Sequence, residues 1–256
     1  LRVLFTLFTL CAKIYTKEAG NMKKVIILIG SYCSGKTEIA LNMAVKSSEA
    51  GRRTLVVDLD RINDYFRMSD QIPMLTEKSV EIVSPTFAGK GVTQTNMPAA
   101  VASAFDQDWD LVVFDVGGDQ AGALSLARYH QDFAALPAGS LEVYDIVNVF
   151  RPAAETPEKI LKFKGELEDF ARATVTGFVN NSNLLNWASA DDLRQGYDIL
   201  RATSDMSGIP VVHTTGRKKF LDEFLSDGRD EKYIGTPLAL ETYMYRSPDN
   251  FTHGKI

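Results

Sequence analysis

The stretch Gly30-Ser31-Tyr32-Cys33-Ser34-Gly35-Lys36-Thr37 constrains this chain more than any other. It fills every fixed position of the pattern G-x-x-x-x-G-K-[ST], and its flanks are the ones that pattern needs. Before it, Val25-Ile26-Ile27-Leu28-Ile29 is an unbroken apolar run, as in a strand buried on both faces. After it, Ile39, Met43 and Ala40, Ala44 recur four apart, which predicts a helix from Glu38 to Ala50 that Gly51 stops. Strand, glycine loop and helix N-terminus in that order make a cradle for a polyphosphate. Gly30 and Gly35 let the N–H groups of the intervening residues turn inward. The positive end of the helix dipole adds to their field. Lys36 is then placed for the β- and γ-phosphates, and the Thr37 hydroxyl for Mg²⁺.

Two more apolar strands end in carboxylates. Residues 53–60 read as a strand closing in Asp58-Leu59-Asp60, and two carboxylates two apart in a strand share a face. Leu111-Val112-Val113-Phe114-Asp115 runs into Val116-Gly117-Gly118. An aspartate there can hold Mg²⁺ directly or through water, and the D-x-x-G form lets Gly118 sense a γ-phosphate. Further strands are expected over 79–83, 141–150, 175–179 and 209–213. Helices are expected over 98–105, 121–136, 156–173 and 191–204, with an extended loop over 86–97. From Gly228 onward no regular element is expected. This alternation predicts an α/β fold: a mainly parallel sheet with helices on both faces, and a ligand at the carboxyl ends of its strands.

Composition sets the outer bounds. A chain of 256 residues with 45% hydrophobic and 24% charged residues can bury one large core. A net charge of −5 offers no global field for nucleic acid or an anionic membrane. Two cysteines, Cys11 and Cys33, give neither a disulfide framework nor metal-ligand spacing, which fits a reducing cytoplasm. Cys33 reads either as a small side chain at a variable loop position or as a thiol acidified by Lys36 and the helix N-terminus. His130, His213 and His253 stand alone in sequence and read as packing or surface residues. Arg2 and the apolar run from Val3 to Ala12 have the form of a signal peptide, too short to span a bilayer comfortably. Met22-Lys23-Lys24 opens directly onto the first strand. The expectation is an N-terminal extension over 1–21, and one nucleotide-binding domain over 22–256 with an irregular C-terminal segment.

With these motifs placed, residues 22 to 216 resemble the MinD/ParA/CobQ/CobB class of phosphate-loop ATPases. The residues that carry the likeness are Gly30 to Thr37, Val57-Asp58-Leu59-Asp60, Asp115-Val116-Gly117-Gly118 and Gly177-Phe178-Val179-Asn180-Asn181. More narrowly, the chain is similar to bacterial ATP-binding proteins bearing D-x-x-x-x-Y-F-R, here Asp60 to Arg67. The resemblance implies ATP and Mg²⁺ as cofactors, a nucleotide-controlled homodimer and a further protein partner. It implies Lys36 on phosphate, Thr37 on the metal, Asp58 and Asp115 in the metal shell, Asp60 orienting the attacking water, and Asn180 or Asn181 at the base. Members with the deviant loop carry a second lysine where this chain has Ser31; Arg61 or Arg67 could replace it or lie on a solvated surface.

Two other outputs use the same loop. A small-molecule kinase would need arginines for a second substrate, for which Arg61, Arg67, Arg128 and Arg151 are available, but no arginine-rich lid is evident. A GTP-dependent metal-insertion protein would need a Cys/His cluster and a base-reading N-K-x-D. Asn180-Asn181-Ser182-Asn183 has neither the Lys nor the Asp of that motif. An ATPase is the preferred expectation.

Overall fold

The computed structural model describes residues 23–60, 67–84, 97–106 and 108–244. The expected extension over 1–21, the Arg61–Phe66 part of the D-x-x-x-x-Y-F-R stretch and all but the last residue of the 86–97 loop lie outside these residues, as do Cys11 and His253.

Eight strands form one sheet in the order β3-β2-β4-β1-β5-β6-β7-β8, and every pairing is parallel. They are β1 (Lys24–Ile29), β2 (Thr54–Asp58), β3 (Val80–Val83), β4 (Leu111–Asp115), β5 (Leu141–Val147), β6 (Gly177–Asn180), β7 (Val211–Gly216) and β8 (Thr236–Ala239). The helices are α1 (Lys36–Glu49), α2 (Ile72–Glu77), α3 (Met97–Asp106), α4 (Gln120–Ala127), α5 (His130–Ala134), α6 (Pro157–Ala171), α7 (Ala190–Ser207) and α8 (Lys218–Leu225).

The apolar run of β1 explains its central place. Val25, Ile27 and Ile29 enter the core that holds Phe114, Leu126 and Leu167. Ile26 and Leu28 enter the opposite core with Ile39, Met43 and Val113 of α1 and β4. Alternate side chains thus feed two cores, and each fully buried aliphatic contributes roughly 1.5–3 kcal/mol. Among the described residues no helix is long and apolar enough to cross a membrane.

Four expectations need correction. The helix expected over 121–136 is two helices, α4 and α5, broken where the Tyr129 N–H bonds Leu126 O. The break lets Phe133 meet Phe105 and Phe114 edge-on, both at 5.2 Å between ring centroids, so aromatic packing outweighs helical continuity. The strand expected to reach Phe150 stops at Val147, because Asn148 accepts the N–H of Phe150 on its side chain and that of Arg151 on its carbonyl. β2 ends at Asp58, so Asp58 and Asp60 do not share a strand face. Beyond Gly228 there is regular structure: a 3₁₀ turn at Glu231–Tyr233, then β8 on the sheet edge against β7.

Candidate functional site

The loop between β1 and α1 lies at the carboxyl rim of the sheet. Gly35 closes it at φ 95°, a left-handed angle that favours glycine, and a Cβ there would fall 2.2 Å from Asn181 Nδ2. No side chain caps α1, so its first N–H groups stay open to a ligand. By contrast Asp119 caps α4 and Thr156 caps α6. Lys36 is buried and folds back over the loop, its Nζ donating to the carbonyls of Gly30 at 3.2 Å and Ser31 at 3.0 Å. Burial pushes its pKa down, against the pull of Asp115, Asp60 and Asp145.

The carboxylates of β2 and β4 take different places. Asp115 Oδ2 accepts the Thr37 hydroxyl at 2.6 Å, while its Oδ1 is buried with no partner. Burial raises the Asp115 carboxyl to about 6, against the lowering effect of Lys36. Among the described residues, Ser31 Oγ and Ser34 Oγ are the other buried orphans. Buried polar atoms are normally paired, so three orphans around one loop mark a place where a ligand is expected. A hydroxyl beside a half-used carboxylate is a hard oxygen pair suited to Mg²⁺.

Asp58, expected beside the metal, has both oxygens committed: Oδ1 accepts the Asp60 N–H at 3.0 Å and Oδ2 the Ser84 hydroxyl at 2.9 Å. Burial, with Asp115 alongside, lifts it to about 8. It positions the backbone of Asp60 and does not line the cavity, whereas Asp60 does. Gly118 packs onto the loop so closely that a Cβ would sit 2.7 Å from the backbone of Tyr32 and 2.9 Å from Lys36 Nζ.

A cavity of about 500 Å³ runs from this loop past Asn181 to Phe220, Leu240 and Met244. Asn181, on the cavity wall, is fixed from two sides: Nδ2 donates to Ser34 O at 2.7 Å and Oδ1 accepts Thr215 Oγ1 at 2.8 Å. Asn180 turns away from the cavity, its amide held by Leu193 O and the Ser182 N–H. Of the four arginines considered for a second substrate, Arg151 lines the cavity; Arg67 and Arg128 do not, and Arg61 lies outside the described residues. His213 Nδ1 meets Thr236 O and His130 Nδ1 meets Ala127 O, both packing roles. Cys33 is exposed, at φ 56°. Among the described residues no cluster of three or more His, Cys, Asp or Glu could hold a metal.

No protein-family profile and no curated protein sequence matches the chain. Solved structures do match. FtsY from Mycoplasma mycoides aligns over 83% of this chain and 66% of its own, at 18% identity and a TM-score of 0.52. The signal recognition particle receptor FtsY from Elizabethkingia anophelis, solved in complex with GDP, aligns over 77% and 58%, at 19% identity and 0.51. Chloroplast FtsY from Physcomitrella patens aligns over 82% and 65%, at 20% identity and 0.51. The fold is that of a phosphate-loop NTPase. These likenesses bear on the fold alone and do not single out the MinD/ParA/CobQ/CobB class. The chain spans less than two thirds of the length of these FtsY structures.

Two contributors escaped the motifs. Asp145, on β5, is fully buried near Lys36 and lifted by burial to about 7. Its signal was there: an acid between Tyr144 and Ile146-Val147 in the buried half of β5. The second is the strap after β8. Leu240 N–H bonds Gly216 O, Asn42 exchanges two hydrogen bonds with Glu241, and Glu38 accepts the N–H groups of Tyr243 and Met244. Residues just past Lys36-Thr37 thereby pin the far wall of the cavity. No local pattern announces such a tether across about two hundred positions.

Proposed function

We propose that this chain binds and hydrolyses Mg·ATP and works as a nucleotide-controlled switch whose ATP-bound form is a homodimer that engages a further protein partner. One observation carries the reading. Lys36, the Thr37–Asp115 pair and the three orphaned atoms Ser31 Oγ, Ser34 Oγ and Asp115 Oδ1 converge where an uncapped helix meets the mouth of the cavity. Lys36 would exchange two loop carbonyls for phosphate oxygens, a stronger, charge-assisted contact. Thr37 and Asp115 would hold Mg²⁺, which supplies charge neutralisation on the phosphates. Asp60, its backbone fixed by Asp58, would orient water at the γ-phosphate. Asn181, rather than Asn180, would stand at the nucleoside.

Adenine is favoured over guanine because the chain lacks the base-reading N-K-x-D at the end of β6: Asn180-Asn181-Ser182-Asn183 has neither its Lys nor its Asp. The acids lining the cavity are Glu38, committed to the strap, Asp60, beside Gly117 in the D-x-x-G turn, and Glu241, on the strap itself. The homodimer is supported by exposed apolar side chains beside the cavity: Tyr32, 54% exposed, and Leu185, 67%, line it, and Trp187, 82%, ends the same 3₁₀ turn as Leu185. An ATPase rather than a kinase is favoured because, among the described residues, Arg151 and Arg217 are the arginines on the cavity wall and the sequence shows no arginine-rich lid.

The test joins calorimetry to turnover. Asp60→Ala should keep Mg·ATP affinity within a few-fold and slow phosphate release by roughly a hundredfold. Light scattering of that variant should show twice the monomer mass with Mg·ATP and monomer with ADP. Tighter binding of Mg·GTP, or wild-type hydrolysis by the variant, would overturn the assignment.

A further inference from the structure

The cavity wall carries two arginines, Arg151 and Arg217, that the nucleotide reading has not used, and one of them is bonded to the phosphate loop. Arg151 follows β5 in the turn begun by Asn148, and its Nε donates to the Cys33 carbonyl at 3.0 Å. That single bond ties a guanidinium to the outer side of the phosphate loop. Of its five donors, the four on the terminal nitrogens make no hydrogen bond, and no carboxylate pairs with it among the described residues.

Its circumstances differ from those of the paired arginines where α7 meets α8. Arg194 and Arg229 are each held by two or more carboxylates. An arginine fixed at Nε and open at both terminal nitrogens presents the planar fork that matches a phosphate bidentately. Local charge points the same way. The loop holds one lysine, Lys36, which faces Asp115, Asp60 and Asp145. Besides Lys36, the arginines on the cavity wall are Arg151 and Arg217, and Arg151 is the one hydrogen-bonded to the phosphate loop.

We propose that Arg151 is a second, cis-acting phosphate-binding residue, held against the loop by the Cys33 carbonyl so that its terminal nitrogens grip the polyphosphate of the bound nucleotide. The inference rests on the nucleotide reading for the identity of the ligand, and on Arg151's own hydrogen bonding for the residue. It predicts that the arginine matters to phosphate and hardly at all to the empty fold.

The experiment compares wild type with Arg151→Ala, Arg151→Gln and Arg151→Lys. It measures binding of Mg·ATP, of tripolyphosphate and of adenosine by calorimetry, and thermal unfolding of each nucleotide-free protein. Arg151→Ala and Arg151→Gln should weaken both Mg·ATP and tripolyphosphate about tenfold or more while adenosine binding stays unchanged. Arg151→Lys should recover part of the loss, as a point charge without the fork. Melting of the nucleotide-free variants should stay within about 2 °C of wild type, since only one solvent-accessible bond is lost. Wild-type affinity for tripolyphosphate and Mg·ATP in Arg151→Ala would overturn the proposal and leave the ATPase reading standing. So would a variant that melts far lower and loses adenosine as well, because Arg151 would then be a clamp for the loop. If wild type prefers Mg·GTP, the ATP assignment falls, and the tripolyphosphate arm still decides the arginine.

Discussion

Two regions of this molecule use the same side-chain types in opposite circumstances. Around Lys36, three buried aspartates have their carboxyls lifted: Asp115 to about 6, Asp145 to about 7 and Asp58 to about 8, with burial the leading cause in each. At the corner where α7 meets α8, Asp227 is exposed and pulled down to about 2 by Arg194, which grips both its oxygens at 2.8 and 2.9 Å. Arg229 joins the same carboxylate and lies over the Tyr197 ring at 4.8 Å. The corner is satisfied and wet; the rim is buried and incompletely paired. Folding alone has no use for orphaned polar atoms and crowded carboxylates, so the rim, unlike the corner, is the candidate ligand site.

The contrast breaks first at Lys36. Lys36→Ala should reduce Mg·ATP affinity about thirtyfold or more, the loss of one desolvated charge-assisted contact worth roughly 2–4 kcal/mol. Its effect on unfolding should be much smaller, because the buried ammonium costs desolvation that alanine does not. Calorimetry beside thermal melting makes the comparison. Unchanged affinity would remove the loop as the ligand site, and a collapse of the empty protein would make Lys36 structural.

Asp145 sharpens the comparison through pH. Its folded pKa, about 7, lies above the ordinary 3.8, so the folded state binds the proton more tightly than the unfolded state. Wild-type stability therefore falls as pH rises between about 4 and 7, and the penalty is complete above that window. An asparagine at this position would carry no charge in either state. Asp145→Asn should thus gain on wild type by about 1–3 kcal/mol more at pH 8 than at pH 5, read from urea unfolding. A constant difference across that range would mean that Asp145 stays ionised in the folded protein.

What the sequence disclosed follows from how locally each feature is determined. β1, β2 and β4 are buried on both faces, so their apolar runs are continuous and visible, and the loop follows β1 without interruption. β8 was invisible because Thr236-Pro237-Leu238-Ala239 is four residues long and contains a proline, tolerated there since one side of the strand is a free edge. α8, Lys218 to Leu225, carries a legible stripe in Phe220, Leu221, Phe224 and Leu225 that the strand-by-strand reading passes over. Asp58 and Asp60 were found as residues but not as geometry. Their spacing implies a shared face only if the strand continues, and Asp58 ends it by accepting the Asp60 N–H. The tether of Glu38 and Asn42 to the strap depends on tertiary contact alone.

The smallest effect belongs to the corner. Asp227→Asn removes the bidentate partner of Arg194 but leaves Arg194 with Asp191 and Glu223 and Arg229 with Asp198. Because the Asp227 carboxyl is depressed from 3.8 to about 2, its contribution is fully present above about pH 4 and is lost as pH falls through 2. At pH 7 the variant therefore lacks whatever the pair supplies. Both groups face solvent, where screening and side-chain entropy offset most of the attraction, so the melting temperature should drop by less than about 3 °C. In about 1 M salt, where the Debye length is near 3 Å, the difference should shrink toward zero. Nucleotide affinity should not move at all. A large, salt-independent loss would mean that Arg194 and Asp227 lock α7 onto α8 by geometry rather than by charge, and a fall in affinity would mean that the corner and the rim are one system.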